Sequence, residues 1–223
     1  AEQPSALAVD ANNLYWGSPS TTTNIGIEVA GTGSLMKVAI AGGPPTALAT
    51  GLYGLGSIAV DAEYVYWTGS DGGVLNSSGT VMKVPIAGGD PTPIAKGQIG
   101  PMWIKVVDKT LYWGNMGNNP DNIGTVMSFL LPDNGLTEIA KANTLLAAMD
   151  VWGNKIYYGT YGSGGVIYSF NPHGATSAPL VPSVPVLARM KVDGSGIYYT
   201  AGGNLWRVGL EGGPVMDIQP HPT

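Results

Sequence analysis

The chain has no cysteine. Disulfides, thiolate nucleophiles and cysteine-ligated zinc are excluded together, while the redox compartment stays open, because oxidising and reducing environments both hold cysteine-free proteins. Histidine is nearly as scarce. His173 lies in a stretch of turn composition and His221 close to the last residue, so neither a Ser-His-Asp arrangement nor a histidine-rich metal centre is supported. Charged side chains make up 11% of the chain, with 10 Lys+Arg against 15 Asp+Glu, and the basic residues form no run. A phosphate backbone is held by clustered Lys and Arg, so no nucleic-acid partner is expected. No apolar run approaches the roughly 18 residues that cross a bilayer and no charged-then-apolar leader opens the sequence, so no membrane span is expected either. Phosphate-binding loops and G-x-S-x-G elbows are also missing; the sequence therefore offers no cofactor, metal or catalytic residue.

Glycine and proline are plentiful, 34 and 17 in 223 residues. Turns are frequent and long charged helical faces are excluded. The length suits one domain or two small ones. An aromatic pair recurs five times, as Tyr15-Trp16, Tyr66-Trp67, Tyr112-Trp113, Tyr157-Tyr158 and Tyr198-Tyr199, at intervals of 51, 46, 45 and 41 residues. A period of about 40 to 50 marks propeller blades or helical arrays. The local pattern decides for strands. "SALAVD", "SIAVD", "WIKVVD", "AAMDV" and "RMKVD" alternate with period two before each pair, "LMKVAI", "VMKVPI", "VMSFLL", "VIYSF" and "LWRVGL" follow it, and a fourth short segment closes each copy.

Four strands per copy predict an all-β, five-bladed β-propeller of four-stranded antiparallel blades, one domain over residues 1–223 with blades at about 4–51, 52–97, 98–142, 143–183 and 184–220. Residues 137–150, "TEIAKANTLLAAMD", read as helix by propensity alone. The register of the other copies predicts strand, turn and strand there. A lone blade leaves both faces apolar, and the aromatic pairs, each ring burying on the order of 150 to 250 Å², are expected to fill the contacts between blades.

The motifs "VD…LYW", "G-x-[VL]-M-K-V" and "GG-x-P-T" make the repeats resemble those of the YWTD/NHL-type β-propeller group over essentially the whole chain. The resemblance implies the architecture and leaves function open, since propellers host binding modules, scaffolds, lactonases, hydrolases and lyases. Two departures stand out. The aspartate after the first strand is present at Asp10, Asp61 and Asp193 but replaced by Val107 and Trp152, and five copies stand where such rings commonly have six blades. Either five close by packing or the chain is part of a larger ring.

Recurrence argues for architecture and deviation for function. The recurring aspartate is expected to cap its turn through a side-chain oxygen. Deviation concentrates in the innermost strands: two residues before the Asp slot lie Ala8, Ala59, Lys105, Asp150 and Lys191, and four before it Ala6, Ser57, Trp103, Ala148 and Arg189. The residues between stay apolar and are expected to pack between blades, starting with Leu7 and Val9. First strands surround a propeller's axis, so Trp103, Lys105, Asp150, Arg189 and Lys191 form the candidate ligand site at a central channel. They are read either as a self-neutralising buried ion network or as a site for a small anion. Loops at 17–33, 68–79 and 114–123 are longer than their later counterparts and raise a rim rich in Thr, Asn, Asp and Gly on one face.

These features point to a non-catalytic binding or scaffold module with a polar or anionic small molecule, glycan or protein as partner. The alternative is a metal-dependent propeller hydrolase or lactonase, which needs several axial carboxylates where only Asp150 is in place between lysines. The low-charge composition, with "AEQPS" as a processed start or an arbitrary boundary, leads to a secreted or periplasmic location.

Overall fold

Short alternating segments broken by Gly-rich turns leave no room for helix, and the computed structural model, which describes residues 4–18, 31–70, 78–117, 123–132, 135–173 and 177–219, contains only strands among its regular elements. The chain divides into two compact units, Ala1–Asn115 with Ser128–Thr137, and Met116–Met127 with Glu138–Thr223.

The first unit opens with a meander of β1 (Ala6–Val9), β2 (Asn13–Ser18), β3 (Gly33–Ala39) and β4 (Thr46–Leu52). A second follows, with β5 (Leu55–Val60), β6 (Tyr64–Ser70), β7 (Gly79–Pro85) and β8 (Thr92–Gln98). The third sheet runs through β9 (Pro101–Val107), β10 (Thr110–Asn115), β11 (Thr125–Leu130) and β12 (Leu136–Lys141), of which residues 125–127 and 138–141 count with the second unit. Tyr15, Leu35, Leu55, Ile58, Val65 and Trp67 are buried together where the first two sheets meet, with Ala6 and Ala8 packed against them. The small alanines of β1 are thus what admits the larger side chains of the next sheet.

The second unit holds β13 (Leu146–Trp152), β14 (Lys155–Thr160), β15 (Gly165–Phe170) and β16 (Ala178–Val184), then β17 (Leu187–Asp193), β18 (Gly196–Ala201), β19 (Asn204–Gly209) and β20 (Gly212–Asp217). Ala148, Tyr157, Ile167, Leu187, Met190, Val192 and Tyr199 form its core. Residues 137–150 are strand, turn and strand, so the register of the repeat overrides helix propensity there.

The aromatic pairs are architecture. Tyr15, Tyr66, Trp67, Tyr112, Trp113, Tyr157, Tyr158 and Tyr199 are all buried. The recurring aspartate is the turn cap expected. Oδ1 of Asp61 accepts the backbone N–H groups of Glu63 and Tyr64, each at 2.8 Å, and its Oδ2 accepts the Tyr66 hydroxyl at 2.7 Å. Asp10 repeats this with Asn12, Asn13 and Tyr15. In the fifth sheet Ser195 stands between Asp193 and Tyr198. Val107 carries no acceptor for those amides, and its turn instead places Asp108 and Lys109 at φ 45° and 64°. That left-handed hairpin needs no side-chain cap.

Glycines of two motifs have distinct causes. Gly42 and Gly43, like Gly88 and Gly89, hold positive φ in the "GG" turns. The glycine of "G-x-[VL]-M-K-V" answers instead to close approach: a Cβ on Gly124 would stand 2.6 Å from the backbone nitrogen of Leu146, where the next sheet begins. One expectation fails. Leu7 and Val9 do not pack between sheets but are 65% and 61% exposed, whereas Ile58, Met190 and Val192 are buried. Within the first unit it is the Ala6/Ala8 side of β1 that meets the neighbouring sheet.

Two outcomes follow from this packing. Gly124→Ala meets the backbone nitrogen of Leu146 as well as its side chain and is expected to lower stability by about 1–3 kcal/mol in urea denaturation; unchanged stability would show that the seam tolerates separation. The second concerns alkaline pH. Burial, reinforced for Tyr15 and Tyr66 by the hydrogen bond to aspartate, pushes these hydroxyls above the ordinary 10.0, and burial does the same to Tyr112, Tyr157, Tyr158 and Tyr199. A raised folded value means that the unfolded chain releases its protons first. The stabilisation is complete below pH 10 and is lost as pH rises through the folded values. Tyrosinate absorbance from these six residues should appear only together with loss of the β-sheet circular dichroism; ionisation near pH 10 in an intact sheet would contradict it.

Candidate functional site

Strand register confirms the equivalence of the inner-strand positions. Lys105 pairs with Tyr112, Asp150 with Tyr157 and Lys191 with Tyr198, each opposite the first member of its aromatic pair. The five candidate residues divide between the units: Trp103 and Lys105 belong to the first, Asp150, Arg189 and Lys191 to the second.

In the first unit Trp103 sits at a register shift of β9, with φ of 41°. Left-handed backbone is rare for a bulky residue and marks a bulge that re-aims the side chain. Trp103 and Lys105 are both half-buried. Next to Trp103, Ile104 ties β9 to β5, its N–H donating to Ser57 Oγ at 3.4 Å.

In the second unit Asp150 is 1% exposed. Its carboxylate is not idle. Oδ1 accepts the N–H of Val151 and Oδ2 that of Val192, both at 3.0 Å, so the side chain bridges β13 to β17. Lys191 Nζ lies 3.9 Å from Oδ2 while its side chain is 76% exposed. Arg189, two residues earlier on β17, is exposed as well. The strand therefore places two cations side by side in solvent above an anion embedded in backbone donors.

Other candidate features resolve differently. His173 is in a turn, its N–H donating to Asn171 Oδ1 at 2.9 Å, and His221 lies outside the described residues. The long loops fall mostly at 19–30, 71–77 and 118–122, also outside them. Among the described residues no three His, Cys, Asp or Glu side chains gather to hold a metal. The carboxylates that recur in the repeat are bound instead: hydrogen bonds from Tyr15, Asn12 and Asn13 outweigh the upward effect of burial and hold the Asp10 carboxyl below its ordinary value, and Ser195 does the same for Asp193 through its hydroxyl and its N–H.

A further feature lies at the strand ends that carry the first-to-second-strand turns. There a cleft of about 520 Å³ opens between the second and third sheets of the first unit, beside Tyr64 and Lys83. Lys83 repeats Lys37 within the "MKV" motif, so recurrence hid it.

A scan against family models finds no match, and a comparison with curated proteins finds none either. Solved structures do match. A chain of a nidogen/laminin complex is 18% identical with a TM-score of 0.70, over 94% of this chain and 77% of that one. The putative TolB of Agrobacterium tumefaciens is 15% identical with a TM-score of 0.69, over 97% and 80%. The tricorn protease aligns with 95% of this chain at a TM-score of 0.61 and 14% identity, but over 22% of its own length.

With five four-stranded meanders, these likenesses define the class: the fold is a five-bladed β-propeller. The repeat motifs borne by those sheets resemble those of the YWTD/NHL-type group.

The carboxylate at β13 gives a direct test. Asp150→Ala leaves two buried amides without acceptors and should destabilise by about 2–4 kcal/mol. Lys191→Met removes a mostly exposed partner and should cost less than about 1 kcal/mol. Urea denaturation of both variants checks the order, and equal losses would mean that the ion pair, not the amide bridge, holds the strands.

Proposed function

We propose that this propeller is a non-catalytic, exported binding or scaffold module whose inner strands engage an anionic group of a small molecule, glycan or protein partner. One observation carries the reading: Asp150 is engaged by backbone amides, while Arg189 and Lys191 extend side by side into solvent from the same strand. A guanidinium fork beside an ammonium suits a carboxylate or sulfate, which the pair contacts through charge-assisted hydrogen bonds. Trp103 and Lys105 offer the first unit an aromatic face and a cation of the same kind.

A hydrolytic or lactonase reading asks for carboxylates available to a metal or a water. Asp10, Asp61, Asp150 and Asp193 already accept hydrogen bonds from their own turns and strands, which weighs toward binding. The nidogen chain occurs in a complex with laminin, so this fold does serve protein recognition. Low charge and abundant glycine, serine and threonine support export. No helix among the described residues is long and apolar enough to cross a membrane.

Thermal melts in citrate and in sulfate test the proposal. A ligand at 100 times its Kd adds about 2.7 kcal/mol, which for a chain of this size raises Tm by at least about 5 °C. Arg189→Met combined with Lys191→Met should abolish the citrate shift and leave only the general stabilisation that sulfate gives any folded protein. Identical shifts in parent and double variant would overturn the site, and calcium-dependent esterase or lactonase turnover would reverse the choice of class.

A further inference from the structure

In two seams between neighbouring sheets a side chain ties the strand ends that carry the first-to-second-strand turns, and in a third no such tie is made among the described residues. Between the first two sheets, Lys37 Nζ donates to the carbonyl of Ile86 at 2.8 Å. Between the sheets of the second unit, Lys155 Nζ meets both oxygens of Glu211 at 2.6 Å and the Tyr157 hydroxyl donates to Leu210 O at 3.5 Å. In each case a side chain of one sheet reaches the third-to-fourth-strand turn of the next.

Between the second and third sheets the same parts are present but not joined. Lys83 pairs with Tyr66 as Lys37 pairs with Tyr15. Leu131 takes the place of Ile86, its N–H bonded to Lys109 O as that of Ile86 is to Glu63 O. Yet the Lys83 ammonium lies over the Tyr64 ring, 4.9 Å from its centre, and among the described residues no hydrogen bond reaches across to Leu131. The gap is the cleft of about 520 Å³.

Elsewhere the second and third sheets are tied. Trp113 Nε1 and Asn115 Nδ2 both donate to Gln98 Oε1, at 3.1 and 3.0 Å, and Ser57 holds Ile104 between. The same seam is thus hydrogen-bonded away from the cleft, which opens beside the turns at 61–63 and 108–109. Val60, Val106, Leu131 and Pro132 supply apolar lining. Asp61 stands at the slot, but its oxygens are taken by Glu63 N, Tyr64 N and the Tyr66 hydroxyl. The charge that is half-buried and faces the slot with only a ring beneath it is the Lys83 ammonium, while Glu63, Asp108 and Lys109 sit exposed at the rim.

We infer that this slot is a second binding site, distinct from the Arg189 and Lys191 pair, for a monocarboxylate on an apolar body. The carboxylate completes the contacts of Lys83 in a partly desolvated place, where a charge-assisted hydrogen bond is strongest. The apolar body covers the slot walls. The carboxylates of Glu63 and Asp108 at the rim and of Asp61 at the slot repel a multiply charged anion more than a singly charged one, which favours a monocarboxylate over citrate or sulfate. The same chemistry is offered by a free carboxylic acid and by the C-terminal residue of a peptide.

Titration of the full chain with N-acetyl-leucine, N-acetyl-leucinamide and hexanoate, followed by calorimetry and by amide chemical shifts, tests this. N-acetyl-leucine is expected to bind saturably, moving the amides of Val60, Val106 and Leu131. The amide should bind about ten- to a hundredfold more weakly, the equivalent of one charge-assisted bond. Lys83→Met should lose the acid-over-amide preference and Lys83→Arg should keep it. Ala62→Trp, on the exposed turn at the slot mouth, should block both ligands at an unchanged melting temperature, which covers the case in which Lys83→Met folds poorly. Hexanoate as tight as N-acetyl-leucine assigns the site to free acids, and N-acetyl-leucine tighter by tenfold or more assigns it to peptide C-termini. Equal binding of acid and amide, shifts confined to other residues, or no saturation by about 10 mM overturns the proposal.

Discussion

A four-stranded sheet with two apolar faces is unstable in water by itself, and everything else in this chain depends on how neighbouring sheets meet. The contact is asymmetric. One sheet offers small residues, Ala6 and Ala8 or Gly124, and the next inserts larger ones, Leu55 and Ile58 or Leu146. Close packing of this kind explains why glycine appears at fixed points of the repeat without positive φ. It also explains why alanine, normally a weak strand residue, is tolerated on β1.

The polar part of the repeat serves the same end. Each buried first tyrosine needs an acceptor for its hydroxyl, and an aspartate at the start of the turn supplies one while satisfying two turn amides. The arrangement is local, spanning five residues in the chain, so it forms with the hairpin and does not wait for the neighbouring sheet. Where the aspartate is lost the solution changes with it. At Val107 the turn becomes left-handed, and in the second unit Tyr157 turns its hydroxyl to Leu210 of the next sheet. A bond that was internal to one sheet has become a tie between two.

Much of this was legible in the sequence because it repeats. Five aromatic pairs in register specify twenty strands, place the caps at Asp10, Asp61 and Asp193, and override the helical composition of 137–150. Equivalence of Lys105, Asp150 and Lys191 was legible for the same reason. Their partners were not: nothing in a one-dimensional register says that Asp150 reaches the amide of Val192, 42 residues away. Period-two alternation tells which residues of β1 share a side but not which side is covered, and it is the alanines, not Leu7 and Val9, that meet the neighbouring sheet. The cleft was hidden by the rule that recurring residues are architecture, because Lys83 recurs in kind while its contact does not.

That last case shows how a repeat protein gains a site without losing its frame. The third-strand position opposite the first tyrosine holds Lys37, Lys83, Ser169 and Arg207 in four of the sheets. Lys37 closes a seam, Arg207 turns to Ser195 O within its own sheet and lies over the Tyr198 ring, and Lys83 remains over Tyr64 beside an open seam. Strand pairing is the same in all of them, since the backbone ladder does not depend on which side chain stands there. The position is buried enough to order a cation and near enough to the next sheet to make or withhold a tie. Variation there changes the seam and spares the sheet, whereas variation at the tyrosines or the close-packed glycines would disturb the contacts on which the sheets depend.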